Sequence, residues 1–325
     1  MNIVLDVRNL KVYYELGNGV VKAVDNVSFQ LYKGEVLGIA GESGSGKSTL
    51  GQAIAGLIRP PGRIVGGQIL FKGKNLLELR ESEWRKIRGK EIGVIFQDPN
   101  SYLNPVYTVG FQVAEAVEAH NGGSPKHYIH KAIELLKMVR IADAPRRAIN
   151  YPFQLSGGMK QRVLTSIAIA NKPELIIADE PTSALDVTVQ AEVVELLLEL
   201  KKELGSSMIF ITHDLPLLLE IADRIMVMYA GKIVELGSPH HIRNNPLHPY
   251  TRGLLESVRY ERKAKLKSIP GSIPSLISPP PGCRFAPRCP FANEKCRKIE
   301  PSLRQVDGRL VACHLFNEGG NDGQR

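Results

Sequence analysis

Gly34-Glu35-Val36-Leu37-Gly38-Ile39-Ala40 runs directly into Gly41-Glu42-Ser43-Gly44-Ser45-Gly46-Lys47-Ser48-Thr49. The run up to Ala40 is short and apolar, which suits a buried strand feeding a loop. Gly41 to Ser48 satisfies G-x-x-x-x-G-K-S, and Ser48 to Leu57 has helical character. Strand, glycine loop and helix in that order make a phosphate loop. The glycines let backbone N–H groups approach phosphate oxygens and the helix start adds positive potential, while Lys47 reaches the terminal phosphates and Ser48 ligates Mg²⁺. A glycine-rich turn with a chance lysine is the plain alternative, and the flanking strand and helix argue against it.

Further along, Leu175-Ile176-Ile177-Ala178 delivers Asp179-Glu180 at the carboxyl end of an apolar strand, where α/β sheets place their ligand crevices. Asp179 is suited to hold Mg²⁺ directly or through water, and Glu180 to orient or deprotonate an attacking water. An apolar strand ending in two acids is by itself only a solvated strand end; beside a phosphate loop it points to a nucleotide hydrolase.

Around these motifs, Ile3 to Leu10 and Ala23 to Leu31 read as strands of an opening sheet, and Ile92 to Phe96 as a buried strand. Between about 98 and 162 the pattern turns helical, as in Gln112 to Ala119 and Ile129 to Val139, which predicts an inserted helical subdomain. A helix from Met159 to Ala170 stops at Asn171 and Pro173; a second, Ala191 to Leu204, closes at Gly205 and precedes a strand from Met208 to Thr212. The expected fold is α/β, a P-loop NTPase with a RecA-like core: a mostly parallel sheet, an antiparallel N-terminal β region and the helical insert. An ATPase domain over 1–237 and a small loop-rich region over 238–325 are expected, the latter marked by Pro270, Pro274, Pro279, Pro280 and Pro281.

The chain has 325 residues, 43% of them hydrophobic, and a formal charge of +9. No stretch approaches the roughly 18 apolar residues that cross a bilayer, and the opening Met1-Asn2-Ile3-Val4-Leu5-Asp6 lacks the blocks of a secretion signal. A cytoplasmic chain is expected. The basic residues are scattered with few aromatics among them, so a solvated surface is favoured over a nucleic-acid footprint.

Leu155-Ser156-Gly157-Gly158-Met159-Lys160-Gln161-Arg162 resembles the signature sequence of the ABC ATPase family and lies just upstream of the Asp-Glu strand. Ser156 is a good helix cap, and the two glycines leave the first N–H groups open to an anion. Met159 replaces the family's commonest glutamine. The resemblance extends to Gln97 as the Q-loop glutamine contacting Mg²⁺ and the attacking water, to Ser183-Ala184-Leu185-Asp186 as the D-loop with Asp186 at the dimer interface, and to His213 as the switch histidine. Tyr14, with Tyr13 competing, matches the aromatic residue that stacks on adenine. The family likeness implies ATP and Mg²⁺ as cofactors, and two such domains that trap ATP between one phosphate loop and the other's signature helix. With Glu180 and His213 both present, the site built on this chain's own loop is expected to hydrolyse ATP.

Two stretches narrow the class. Pro181-Thr182-Ser183-Ala184-Leu185-Asp186-Val187-Thr188-Val189-Gln190 and Asn245-Pro246-Leu247-His248-Pro249-Tyr250-Thr251-Arg252-Gly253-Leu254-Leu255 resemble the oligopeptide and dipeptide import ATPases. That resemblance implies a subunit at the cytoplasmic face of the membrane, working with a second ATPase (a related chain or an identical copy), two permease chains and an external solute-binding protein. Peptides are the expected cargo, with oligosaccharides or nickel as alternatives. A soluble ABC protein acting on ribosomes or DNA is the competing class; the paired ATPase domains or long coiled coils of those proteins are missing here.

The only cysteines, Cys283, Cys289, Cys296 and Cys313, are spaced C-x5-C-x6-C-x16-C. Their segregation favours a local metal site over a disulfide framework. The gaps match neither tight zinc-finger pairs nor the ferredoxin run. Some members of the resembling subfamily carry a 4Fe-4S cluster on such a set, so that cluster stands first, Zn²⁺ second and four unrelated thiols last. A structural staple is the expected role.

Overall fold

Apolar strands alternating with amphipathic helices must bury the strands beneath the helices. The computed structural model describes residues 2–183, 185–258 and 269–316, and these form two compact units interleaved along the chain. One unit takes the described residues of Met1–Leu5, Gln30–Glu35 and Leu70–Ile211; the other takes those of Asp6–Phe29, Val36–Ile69 and Thr212–Arg325.

In the first unit, strand Leu175–Asp179 is buried along its whole length. It pairs in parallel with Ile92–Ile95 on one side, Ile95 opposite Ala178, and with Ser207–Ile211 on the other, Asp179 opposite Ile211. Both faces being covered explains why these strands read as continuous apolar runs. The connections are helical. Val109–Asn121, Ile129–Met138 and Gly157–Ile169 pack on one another, with Val113, Leu136 and Val163 buried. Helix Val187–Leu204 starts on the Asp186 side chain, which accepts from Val189 N at 3.3 Å, so it begins four residues before the Ala191 start read from periodicity.

In the second unit, Val36–Ala40 pairs in parallel with Arg224–Tyr229, which pairs antiparallel with Lys232–Gly237. The C-terminal region is not all loop: strands Arg304–Val306 and Arg309–Val311 form a hairpin whose second strand joins Lys232–Gly237, Glu235 opposite Val311. The opening hairpin runs Ile3–Leu16 and Gly19–Tyr32, beyond the apolar cores of those strands, because ladder hydrogen bonds continue after one face meets water.

Glu235 anchors the region beyond Gly237. Its carboxylate is fully buried, accepts from Leu247 N and His248 N at 2.9 Å each, and faces Arg309 at 3.6 Å. Among the described residues, no helix is long and apolar enough to cross a membrane.

Candidate functional site

The phosphate loop follows the wholly buried strand Val36–Ala40 in the second unit. Gly41 has φ 152, and a Cβ there would lie 2.3 Å from Met228 O. Gly46, φ 100, precedes helix Lys47–Ile54, and its Cβ would lie 2.2 Å from Ala23 O. Only glycine fits either position. Gly46 offers no side-chain cap, so the first N–H groups of the helix, at Lys47, Ser48 and Thr49, are presented as an anion site presents them. Lys47, 4% exposed, donates from Nζ to Gly41 O at 2.8 Å and Glu42 O at 3.0 Å. The loop thus holds its own lysine by carbonyls, and Ser45 N donates to Glu42 O at 3.2 Å. Ser43 and Gly44 are exposed at the tip. This donor set of backbone N–H groups and one ammonium fits a polyphosphate.

Thr212 N donates to Ile39 O at 3.1 Å, which brings the exposed His213 to the end of the strand that feeds the loop. The Asp214 side chain then caps helix Leu215–Ile221 by accepting from Leu217 N at 3.0 Å. Of the two tyrosines, Tyr13 donates to Asp25 Oδ1 at 2.8 Å; burial first, then that carboxylate, pushes its pKa up to about 12. Tyr14 lays its ring on Gly62, where a Cβ would come within 2.6 Å of Cε1.

In the first unit, the parallel register brings Gln97 and Glu180 to the same end of neighbouring strands. Gln97 Nε2 donates to Glu180 Oε2 at 3.3 Å, and Glu180 N donates to Ile211 O at 2.9 Å. Glu180 has φ 46, a conformation costly for a non-glycine residue and one that clusters at functional positions. Asp179, one residue earlier, is buried.

Ser156 caps helix Gly157–Ile169 by accepting from Met159 N at 3.3 Å. Ser156 and Gly157 are exposed while Leu155 is buried. A Cβ on Gly158 would come 2.8 Å from Val189 Cγ1, so the Ser156 turn sits hard against the helix that Asp186 caps. Ala184, expected in the D-loop, lies outside the described residues. Sequence reading missed two links between this helix and the Gln97 strand end: Gln161 Nε2 donates to Phe96 O at 3.2 Å, and Lys160 Nζ to Asn100 Oδ1 at 2.8 Å. No local pattern announces either.

Two more residues it missed hold Glu42. Tyr250 OH accepts from Glu42 N at 2.8 Å, and Arg288 donates to the Glu42 carboxylate from both terminal nitrogens, at 2.7 and 3.1 Å.

The four cysteines carry free thiols. Cys283 N donates to Cys296 O at 2.8 Å. Burial pushes the Cys283 and Cys313 thiols up to about 11, opposed by backbone hydrogen bonds from Phe285 and Leu315; Cys289 is raised by burial too, against one from Phe291. The thiols are near enough to oppose one another's ionisation. Among the described residues, however, no three His, Cys, Asp or Glu side chains are gathered as a ligand set for a metal ion.

Comparison with known proteins identifies the family. The ABC transporter family model matches residues 24–183, and the model for the oligopeptide/dipeptide transporter C-terminal region matches 234–296. The dipeptide transport ATP-binding protein DppD of Haemophilus influenzae is 50% identical over 320 residues, 98% of this chain and 97% of that protein. DppD of Escherichia coli is 48% identical over 313 residues, 95% and 96% of the two chains. Among solved structures, the dimeric post-hydrolysis state of the ATP-binding cassette MJ0796 bound to ADP and Pi is 32% identical, covers 72% of this chain and 98% of its own, and has a TM-score of 0.65. The chain therefore belongs to the ABC transporter ATP-binding family, among the members that carry the oligopeptide/dipeptide transporter C-terminal region.

Proposed function

We propose that this chain binds and hydrolyses ATP to drive uptake of di- and oligopeptides through an ABC importer, working as a peripheral subunit at the cytoplasmic face of the membrane. The observation that carries the peptide reading is the near-full-length identity to dipeptide transport ATP-binding proteins, C-terminal region included. The chemistry follows from the residues. Lys47 and the N–H groups at Lys47, Ser48 and Thr49 hold the phosphates, with Gly41, Ser43, Gly44, Ser45 and Gly46 giving the backbone access. Ser48, Gln97 and Asp179 would offer oxygens to Mg²⁺, which when bound would neutralise developing charge on the phosphates. Glu180, steadied by Gln97, orients and deprotonates water, and His213 senses the terminal phosphate. Tyr14 offers its ring to adenine. The exposed Ser156 turn of one subunit, with Leu155, Gly157, Gly158 and Met159, faces ATP on the other, and Asp186 lines the interface.

Exposed Tyr102, Val106, Tyr107, Ile149, Tyr151 and Phe153 in the first unit support docking to permease chains, since apolar side chains of this size in water mark interaction surfaces. Peptide-stimulated ATPase activity in membranes holding the permeases, a second ATPase subunit and a solute-binding protein tests the whole reading. Stimulation by oligosaccharide or nickel instead of peptide replaces the cargo and leaves the ATPase role standing.

For the cysteines, the proposed finer reading is a structural 4Fe-4S cluster, with Zn²⁺ as the alternative, on Cys283, Cys289, Cys296 and Cys313. Backbone hydrogen bonds reach three of these sulfurs from residues two positions on, a donor pattern that stabilises thiolate ligands. Such a group would cross-link a segment too short for its own core, and the thiols must draw together to form it. Iron and zinc content of anaerobically purified protein decides among cluster, zinc and unliganded thiols.

A further inference from the structure

Glu42 occupies the second position of the phosphate loop, and each of its polar groups is engaged. Its carbonyl accepts from Lys47 and Ser45. Its N–H donates to Tyr250 and its carboxylate takes the two-pronged grip of Arg288. The last two partners come from the region beyond Gly237.

Neither is placed there by chance flexibility. Tyr250 is fully buried, its ring 4.6 Å from Tyr229 and 5.4 Å from Phe285. The Arg288 side chain is 5% exposed. Its remaining donors are spent on Pro270 O at 2.9 Å, Ile269 O at 3.1 Å and Tyr229 OH at 3.4 Å. A planar guanidinium locked in this way presents its fork in one orientation. The electrostatic consequence is direct. A carboxylate inside a loop built to receive a polyanion repels that ligand, and a paired guanidinium cancels the repulsion while fixing the loop's first turn.

We propose that Arg288 and Tyr250 are positioning residues of the ATP site: acting through Glu42, they hold the phosphate loop in the shape and charge balance that accept a nucleoside triphosphate. The C-terminal region is thereby a working part of the nucleotide site in addition to whatever its cysteines bind. The inference rests on the phosphate-loop reading above. Linkage makes the coupling reciprocal, so bound nucleotide also steadies the region that carries Arg288.

The test is equilibrium binding of a non-hydrolysable ATP analogue with Mg²⁺ to the full chain. Arg288→Met is expected to weaken binding about tenfold, and Arg288→Lys, which keeps the charge without the fork, about threefold. Adding Glu42→Gln to Arg288→Met is expected to recover most of the loss, because the unneutralised carboxylate is then gone. Tyr250→Phe, which leaves Glu42 N–H without its acceptor, is expected to weaken binding about threefold. A loss that Glu42→Gln does not restore belongs to general damage and overturns the proposal, as does unchanged binding in the Arg288 and Tyr250 variants. If Arg288→Met does not fold, Arg288→Lys and Tyr250→Phe decide. Lys47→Ala separates the two readings: it abolishes binding if the phosphate loop is the site, and intact binding there removes the reading on which the inference stands.

Discussion

Strand Leu175–Asp179 and the cysteine-bearing coil that precedes the Arg304–Val306 strand are held by different forces. The strand has a parallel neighbour on each side and no residue in water. Its stability is spread over many small contributions from ladder and apolar burial. The coil buries Phe285 and Ala286 but leans on a few buried charges. Arg284 reaches Asp25 and Ala230 O, Lys232 lies 3.3 Å from the same Asp25, and Tyr13 donates to it. Burial pushes the Asp25 carboxyl up, but Lys232, Tyr13 and Arg284 outweigh it and hold the group below the usual range. Networks of this kind concentrate stability in single residues, since removing one member strands the rest. A region that buries little apolar surface beyond Phe285 and Ala286 is thus docked in good part by charge, and its dependence on single side chains follows.

The sharpest contrast is between activity and stability. Glu180→Gln is expected to cut ATP turnover by roughly 10²–10⁴-fold, the worth of a positioned general base, while nucleotide binding and melting temperature stay put; steady-state phosphate release and calorimetry check both. Unchanged turnover would remove Glu180 from the mechanism. In the C-terminal region a single charge has the reverse effect. Arg309 is 4% exposed and faces the fully buried Glu235, so Arg309→Leu is expected to cost about 3–5 kcal/mol of stability, as for a broken buried pair. Denaturant unfolding showing less than about 1 kcal/mol would erase the contrast with the core.

Acid separates the regions further. His248 is fully buried, and that burial lowers its pKa from 6.5 to about 3; its Nδ1 accepts from Tyr250 N at 3.1 Å, which requires the neutral ring. A folded-state pKa below the unfolded one means that the unfolded chain takes up the proton first. The stabilisation is complete above pH 6.5 and drains away as pH falls toward 3. Denaturant unfolding at a series of pH values over that window is expected to show stability falling by an amount on the order of a few kcal/mol, with a shallower slope in His248→Asn. Equal slopes exclude His248 as the source.

Smaller effects probe packing in the first unit. Gly158→Ala drives a methyl to within 2.8 Å of Val189 Cγ1, and is expected to cost about 1–3 kcal/mol by overpacking; Val189→Ala relieves it if the clash is the cause. Gln161→Ala removes the link to Phe96 O and is expected to cost about 0.5–1.5 kcal/mol.

Legibility followed the same division. The runs Leu175 to Ala178 and Gly34 to Ala40 were readable because a strand covered on both faces must be apolar throughout. Ser156 and Asp186 were readable as caps because a cap acts on a backbone N–H three positions away. Strand Gly62–Phe71 was not, its glycines interrupting the alternation that marks a half-covered strand. The C-terminal hairpin escaped as well: Arg304–Val306 and Arg309–Val311 are three residues each, and become strands by pairing with each other while the second joins Lys232–Gly237.

The sequence by itself determined the family and the strand and helix alternation, and marked the Gly41–Ser48 loop, the Ser156 turn and the Asp179-Glu180 pair as candidates, since each is a contiguous segment whose chemistry depends on its own backbone. Only the tertiary structure decided that Gln97 meets Glu180, that Glu235 receives Arg309 and that Arg288 closes on Glu42. An arginine reads alike whether solvated or locked against a carboxylate 246 positions earlier. Its partner is chosen by how the chain packs, and packing at that separation leaves no periodic trace in the residues that make it.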